Sequence, residues 1–255
     1  MIQIEQLGKT FQTARGTSHT AIRDISLEVP AGQFVSILGP SGCGKSTLLY
    51  MVGGFEQASS GRILVNGREV RDPGPDRGPV FQEYALFPWK TVLGNVAYGL
   101  REQGVARSEA EARAMRWLEK VKLKDYAHFY PRELSGGMRQ RAAIARTLAY
   151  EPKILLMDEP FGALDAHTRL TLQAELLSLW EQLQNTVLFV THSVDEAVYL
   201  SDRVVVLTGT PGTVREIVDI DLPRPRVRAD LLRSSAYQEY IIQLEKLLVA
   251  SEAHA

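Results

Sequence analysis

Gly39-Pro40-Ser41-Gly42-Cys43-Gly44-Lys45-Ser46 is the stretch that decides the fold. It follows the apolar run Phe34 to Leu38 and precedes the helix-compatible Thr47-Leu48-Leu49-Tyr50-Met51. The eight residues fit G-x-x-x-x-G-K-[ST], and strand, loop and helix in that order are the context in which the pattern carries meaning. Glycines are needed because the backbone must curl until successive N–H groups point inward at phosphate oxygens, with the helix dipole adding positive potential. Lys45 is expected to reach the outer phosphates and Ser46 to bind magnesium. The expected binding run is Gly39, Pro40, Ser41, Gly42, Cys43, Gly44, Lys45, Ser46 and Thr47. Cys43 needs no chemistry of its own, since any residue serves at its position.

The surrounding runs fill in the sheet. Ile154 to Met157, Val187 to Thr191 and Val204 to Leu207 are continuous apolar stretches, as strands covered on both faces of a parallel sheet should be. Near the start the period changes: Ile2 and Ile4 alternate with polar residues, as do Ile25, Leu27 and Val29, which predicts a half-buried antiparallel layer. Asn66-Gly67, between Arg62 to Val65 and Arg68 to Val70, supplies the positive φ values of a type I′ hairpin turn. From Ser108 to Ala149 the residues become rich in Ala, Arg, Glu and Leu, which predicts helices over 109–121 and 137–150. After Pro223-Arg224-Pro225, the spacing of Tyr237, Ile241, Leu244 and Leu248 predicts a final helix laid on its own domain.

Two acids close the run Ile154-Leu155-Leu156-Met157-Asp158-Glu159, at the strand end where ligands bind in open α/β sheets. Beside a phosphate loop, Asp158 is expected in the magnesium shell and Glu159 at the water that attacks a γ-phosphate. His192 leaves the strand Thr186 to Thr191 at a corresponding edge, where it either contacts the γ-phosphate or serves the structure alone. Gln82, after Val80-Phe81, either lends its amide to metal and water or is an ordinary loop glutamine. No Asn-Lys-x-Asp sequence occurs, which counts against a GTPase.

Composition narrows the class. The 29 Lys and Arg against 30 Asp and Glu leave a formal charge of −1, so no global field recruits nucleic acid. The apolar stretches are far shorter than the roughly 18 residues of a membrane helix. One cysteine in 255 residues excludes an internal disulfide. With no basic-then-apolar leader in Met1-Ile2-Gln3-Ile4-Glu5, a cytosolic home is expected.

Leu134-Ser135-Gly136-Gly137-Met138 followed by Arg139-Gln140-Arg141 resembles the signature of ATP-binding-cassette (ABC) ATPases. Physically, Ser135 can cap a helix beginning at Gly137, and the glycines let backbone N–H groups approach an anion. The order is what makes the likeness specific: phosphate loop at Gly39, Gln82, signature, Asp158 and Glu159, Gly162-Ala163-Leu164-Asp165, then His192. The resemblance implies an α/β fold of the RecA-like P-loop NTPase kind, with a mixed sheet, an antiparallel β layer and an inserted helical subdomain. It implies an ATPase domain over 1–225 with the insert at about 91–150, and a helical tail over 226–255.

The resemblance further implies ATP and Mg²⁺ as cofactors and a head-to-tail homodimer, in which Ser135, Gly136 and Gly137 meet the γ-phosphate held by the other copy. Asp165 would belong to the loop coupling the two sites, and His192 would be the switch histidine. Phe11, following the first strand, falls where the family stacks an aromatic on adenine. Met138 departs from the family's usual Gln, and a thioether donates no hydrogen bond. The aromatic-rich Gln82 to Val92 looks like the surface on which importer ATPases receive a membrane permease; alternatively Phe87 and Trp89 simply fill a junction.

Asp72 to Gly78, Thr210 to Thr213 and Leu222 to Arg226 look like the nitrate, sulfonate and taurine importer branch. A peripheral subunit on the cytoplasmic face of the inner membrane is therefore expected, served indirectly by an extracytoplasmic solute-binding protein. The alternative is a soluble ABC ATPase of DNA repair or translation.

Overall fold

Continuous burial, not alternation, is what makes the central strands. Phe34–Leu38, Ile154–Asp158 and Thr186–Thr191 are buried at every position, which only strands covered on both faces achieve. The computed structural model describes residues 1–12 and 16–252. Its strands are β1 (Ile2–Gln12), β2 (Ser18–Val29), β3 (Phe34–Leu38), β4 (Ser60–Val65), β5 (Arg68–Glu69), β6 (Arg77–Val80), β7 (Ile154–Asp158), β8 (Thr186–Thr191), β9 (Arg203–Thr208) and β10 (Thr213–Asp219). The described residues divide into two compact units, one of 1–74 and those from Leu177 onward, the other of Pro75–Leu176.

The first unit contains two β systems. β2, β1, β4 and β5 form an antiparallel sheet in that order. Asn66 and Gly67 take φ of 50° and 76°, as a type I′ turn requires, and set Val65 opposite Arg68. In the other system β10, β9, β3 and β8 lie in that order; β3 runs parallel to both neighbours and β10 antiparallel to β9, so the sheet is mixed. Phe34 meets Trp180 edge-on and Phe189 at a tilt, each at 5.7 Å between ring centroids. Each such fully buried ring contributes roughly 1.5–3 kcal/mol of transfer free energy.

The final helix, Ser235–Glu252, buries Tyr237 and Leu244 against the same unit and half-buries Ile241 and Leu248. Three arginines fasten the segment before it. Arg224 reaches the Asp202 carboxylate at 2.7 Å and lies over the Trp180 ring; Arg228 reaches Asp195 at 2.7 Å and lies over Tyr199. Arg226, between them, is buried, and burial lowers its pKa to about 10. It donates to the carbonyls of Val198 (3.1 Å), Tyr199 (3.0 Å) and Ser201 (2.8 Å). These lie at the C-terminal end of helix Val194–Leu200, where carbonyls lack partners within the helix and a cation is favoured. Arg226→Ala is therefore expected to cost about 3 kcal/mol, read as a lowered urea midpoint; a midpoint at the wild-type value would show that the carbonyls find other partners.

In the second unit β6 and β7 run parallel, with Arg77 opposite Ile154 and Val80 opposite Met157. Helices Arg107–Lys120 and Gly136–Leu148 occupy the stretch where composition predicts them. The latter begins at Gly136, one residue earlier than expected, because the cap sits at Ser135 and its first helical residue follows at once. Glu175 accepts from Lys122 at 2.9 Å and pairs with Arg141 at 3.1 Å, tying this helix to Ala166–Leu183. Among the described residues no helix is long and apolar enough to cross a membrane.

Candidate functional site

The phosphate loop leaves β3 and enters helix Lys45–Gly53. Gly42 and Gly44 take φ of 84° and 90°, a region that opposes side chains, and Gly44 stands at the helix N-cap. This curl presents loop N–H groups and the helix terminus on one side. Lys45 is buried, and its ammonium folds back to donate to the carbonyls of Gly39 and Pro40, both at 2.9 Å. Ser46 and Thr47 are half-buried in the first helical turn, while Ser41 is exposed. Cys43 is buried, which pushes its thiol pKa up, so it is a filler and not a poised thiolate.

Leu38 pairs directly with Thr191, so the phosphate loop and His192 leave neighbouring parallel strands at the same level. His192 is exposed there, and its backbone is fixed by residues whose part the sequence does not reveal. The Thr191 hydroxyl donates to the buried Glu196 carboxylate at 2.5 Å and accepts from the Ser193 N–H at 3.0 Å. Ser193 in turn caps helix Val194–Leu200 by accepting from the Glu196 N–H. Phe11 also belongs to this unit. It lies within β1, not after it, because register shifts carry β1 on to Gln12. It is half-buried opposite His19, with the Lys9 ammonium 4.7 Å from its ring centre.

In the second unit Gln82, Asp158 and Glu159 lie at the ends of β6 and β7. Val80 pairs with Met157, so Gln82 and the acids Asp158 and Glu159 emerge from adjacent strands at one edge. Asp158 is buried and Glu159 half-buried. Both Gln82 and Glu159 flank Gly162: a Cβ there would lie 3.4 Å from Gln82 Nε2 and 3.9 Å from Glu159 Oε2. Glu159 itself takes φ of 41°, backbone strain of the kind concentrated at functional sites. Asp165 accepts from the Thr168 N–H at 3.0 Å, a bond that holds its carboxyl below the usual carboxylate range.

The Ser135 hydroxyl accepts from the Met138 N–H at 3.3 Å and caps the signature helix. Space is short at Gly137 and tight at Gly136. A Cβ on Gly137 would lie 2.6 Å from the Thr168 methyl, and one on Gly136 3.3 Å from the Tyr84 hydroxyl. Met138 is half-buried.

After Gln82 the chain turns through Tyr84 and Ala85 at φ of 61° and 46°, with Arg146 donating to both carbonyls. Asn95 is fully buried and fixes the aromatic loop: it accepts from the Phe87 N–H at 2.7 Å and donates to the carbonyls of Phe87, Lys90 and Thr91. Phe87 is half-buried against Tyr98, 4.7 Å between centroids, whereas Trp89 is 71% exposed. One aromatic fills the fold and the other is left outside. Spacing alone could not separate them, because the separation depends on where Asn95 draws the loop.

Residues 22–162 match the ABC transporter family. An uncharacterized ABC transporter ATP-binding protein of Methanocaldococcus jannaschii is 53% identical over 90% of this chain and 86% of its own. The nitrate import ATP-binding protein NrtD of Synechococcus elongatus is 44% identical over 99% of this chain and 93% of its own. Among solved structures, the dimeric bacterial ABC transporter cassette MJ0796 has a TM-score of 0.78 at 33% identity, covering 88% of this chain and all of that one. Its post-hydrolysis dimer with ADP and Pi has a TM-score of 0.77 at 32% identity, with the same coverage. With the phosphate loop built as described and the family matched over more than half its length, this chain belongs to the ABC transporter family as an ATP-binding cassette with ATPase activity.

Proposed function

We propose that the chain is the ATP-hydrolysing subunit of an importer for a small anion or similar organic solute of the nitrate, sulfonate or taurine kind. The observation that carries this reading is the likeness, over 99% of the chain, to a nitrate import ATP-binding protein. Two copies work head to tail against a separate permease on the cytoplasmic face of the inner membrane, fed by an extracytoplasmic solute-binding protein. The ATPase domain spans 1–225, with the insert at about 91–150 carrying motion to the permease, which the aromatic loop at its edge, with the exposed Trp89, receives, and 226–255 is a tail.

In each site the loop from Gly39 to Thr47 cradles the phosphates, Lys45 leaves its two loop carbonyls for the outer phosphates, and Phe11 stacks on adenine. Ser46, Asp158 and Gln82 offer hydroxyl, carboxylate and amide oxygens, the hard donors that suit Mg²⁺. Bound Mg²⁺ supplies charge neutralisation at the phosphate oxygens. Glu159 accepts a proton from the attacking water, and Gln82 and His192 orient water and γ-phosphate. Ser135, Gly136 and Gly137 present N–H groups to the nucleotide held by the other copy, and Asp165 couples the two sites. Binding closes the dimer and hydrolysis reopens it.

The test is to express tagged Glu159→Gln in the source cell, solubilise membranes gently with MgATP and identify the co-purifying proteins by mass spectrometry. A polytopic permease is the expected partner. Recovery only from the cytosol, with ribosomal or DNA-repair proteins, would overturn the importer while leaving the ATPase.

A further inference from the structure

The turn between β9 and β10, Thr208 to Thr213, contains Thr210-Pro211-Gly212-Thr213, and none of the roles above uses it. It lies against the phosphate loop. A Cβ on Gly212 would be 2.0 Å from the Cys43 carbonyl oxygen and 3.0 Å from its carbon, so the turn and the loop touch backbone to backbone. The turn is itself clamped. The Gly212 N–H donates to the Ala21 carbonyl at 2.9 Å, and the Gly212 carbonyl accepts from the Arg23 N–H at 3.0 Å, which bridges Gly212 to Ile22 of β2. β2 touches the loop again one residue on: a Cβ on Gly44 would lie 2.8 Å from both the Ala21 carbonyl and the Ile22 side chain. At the loop's entrance, a Cβ on Gly39 would lie 2.4 Å from the Leu207 carbonyl, at the end of β9.

The loop is thus seated on β2, on β9 and on the turn, at contacts that tolerate no side chain. Gly212 differs from Gly42 and Gly44. It is not among the residues with positive φ, so its backbone would accept alanine, and only the space taken by Cys43 forbids it. We propose that Gly212 is a positioning residue for the phosphate loop: lacking a side chain, it seats the Cys43 carbonyl and so holds the loop N–H groups at the spacing that phosphate oxygens need. The proposal rests on the phosphate-binding reading of Gly39 to Thr47.

An added methyl must gain more than about an ångström to reach ordinary contact with that carbonyl. The turn is hydrogen-bonded on both sides to β2, so the phosphate loop is the part that yields. A misplacement of about 1 Å in a binding constellation can cost up to about 100-fold in rate, and loss of several phosphate N–H contacts is of comparable weight.

Gly212→Ala and Val218→Ala in the full chain provide the test. Val218 is buried further along β10, so its truncation lowers stability without placing an atom near Cys43. Binding of a fluorescent ATP analogue is measured well below each variant's melting temperature. Gly212→Ala is expected to bind at least about tenfold more weakly than wild type, with Val218→Ala within about twofold of it. Equal affinities for the two variants would overturn the positioning role.

A measurement on the wild type holds even if Gly212→Ala does not fold. Adding ATP should slow hydrogen exchange at the Gly212 and Arg23 amides, which join the turn to β2, and unchanged exchange there would overturn the proposal. Wild-type protein that bound no ATP would instead overturn the phosphate-loop reading and this proposal with it.

Discussion

Glu159→Gln is expected to lower ATP turnover by about 10³-fold while leaving nucleotide binding intact, within the range that positioned general bases contribute. The amide keeps the volume of the carboxylate but cannot accept the proton of the attacking water. The local fold should survive, because the Gly162 N–H bonds the Glu159 carbonyl at 3.0 Å, a main-chain contact indifferent to the substitution. The strained φ of 41° is the same for Gln as for Glu, so strain does not distinguish the two proteins. With hydrolysis blocked, the ATP-bound dimer should persist, and light scattering in MgATP should give twice the monomer mass. Turnover near the wild-type rate would remove Glu159 from the chemistry; a monomer in MgATP with turnover lost would remove the sandwich instead.

Lys45→Ala carries the second large effect, a loss of ATP affinity of ~100-fold, or about 3 kcal/mol, as expected for deleting a charge-assisted contact to phosphate. Its geometry makes the loss sharper than that of a surface lysine. The ammonium is buried and covers the carbonyls of Gly39 and Pro40. Without it, the loop has no ammonium to turn from those carbonyls to the incoming phosphates. Titration with a fluorescent ATP analogue measures the loss, and the melting temperature without nucleotide shows whether the fold is retained. Affinity within about threefold of wild type would overturn the assignment of Lys45 to the phosphates.

Much of this was legible because the chemistry is local. The phosphate loop needs left-handed glycines and a helix N-terminus within eight residues, so spacing alone carries it, and Gly42 and Gly44 take the conformations the pattern implies. The buried strands are runs of apolar residues for the same reason: a strand covered on both faces has no polar side to alternate with. Asn66-Gly67 specified its hairpin through φ alone. The acids after Met157 took on a reading only beside the phosphate loop, because two carboxylates after a buried strand serve equally well as solvated loop residues.

What tertiary structure decided lies wherever a side chain's partner is a backbone atom far along the chain. Asn95 gathers the aromatic loop through its amide, and Arg226 closes a helix end about 25 residues earlier. Arg146 holds carbonyls about 60 residues away, and Gly212 leaves room for the carbonyl of Cys43. Carbonyls and N–H groups are the same for every residue type, so such contacts leave no pattern in composition or spacing. Strand pairing likewise set Leu38 beside Thr191 and Val80 beside Met157. The sequence by itself determined the phosphate-loop glycines and the buried strands, because conformation at a glycine or along a buried strand is a local property. Only the tertiary structure decided what holds those residues in place, because those supports are backbone groups brought near by the fold.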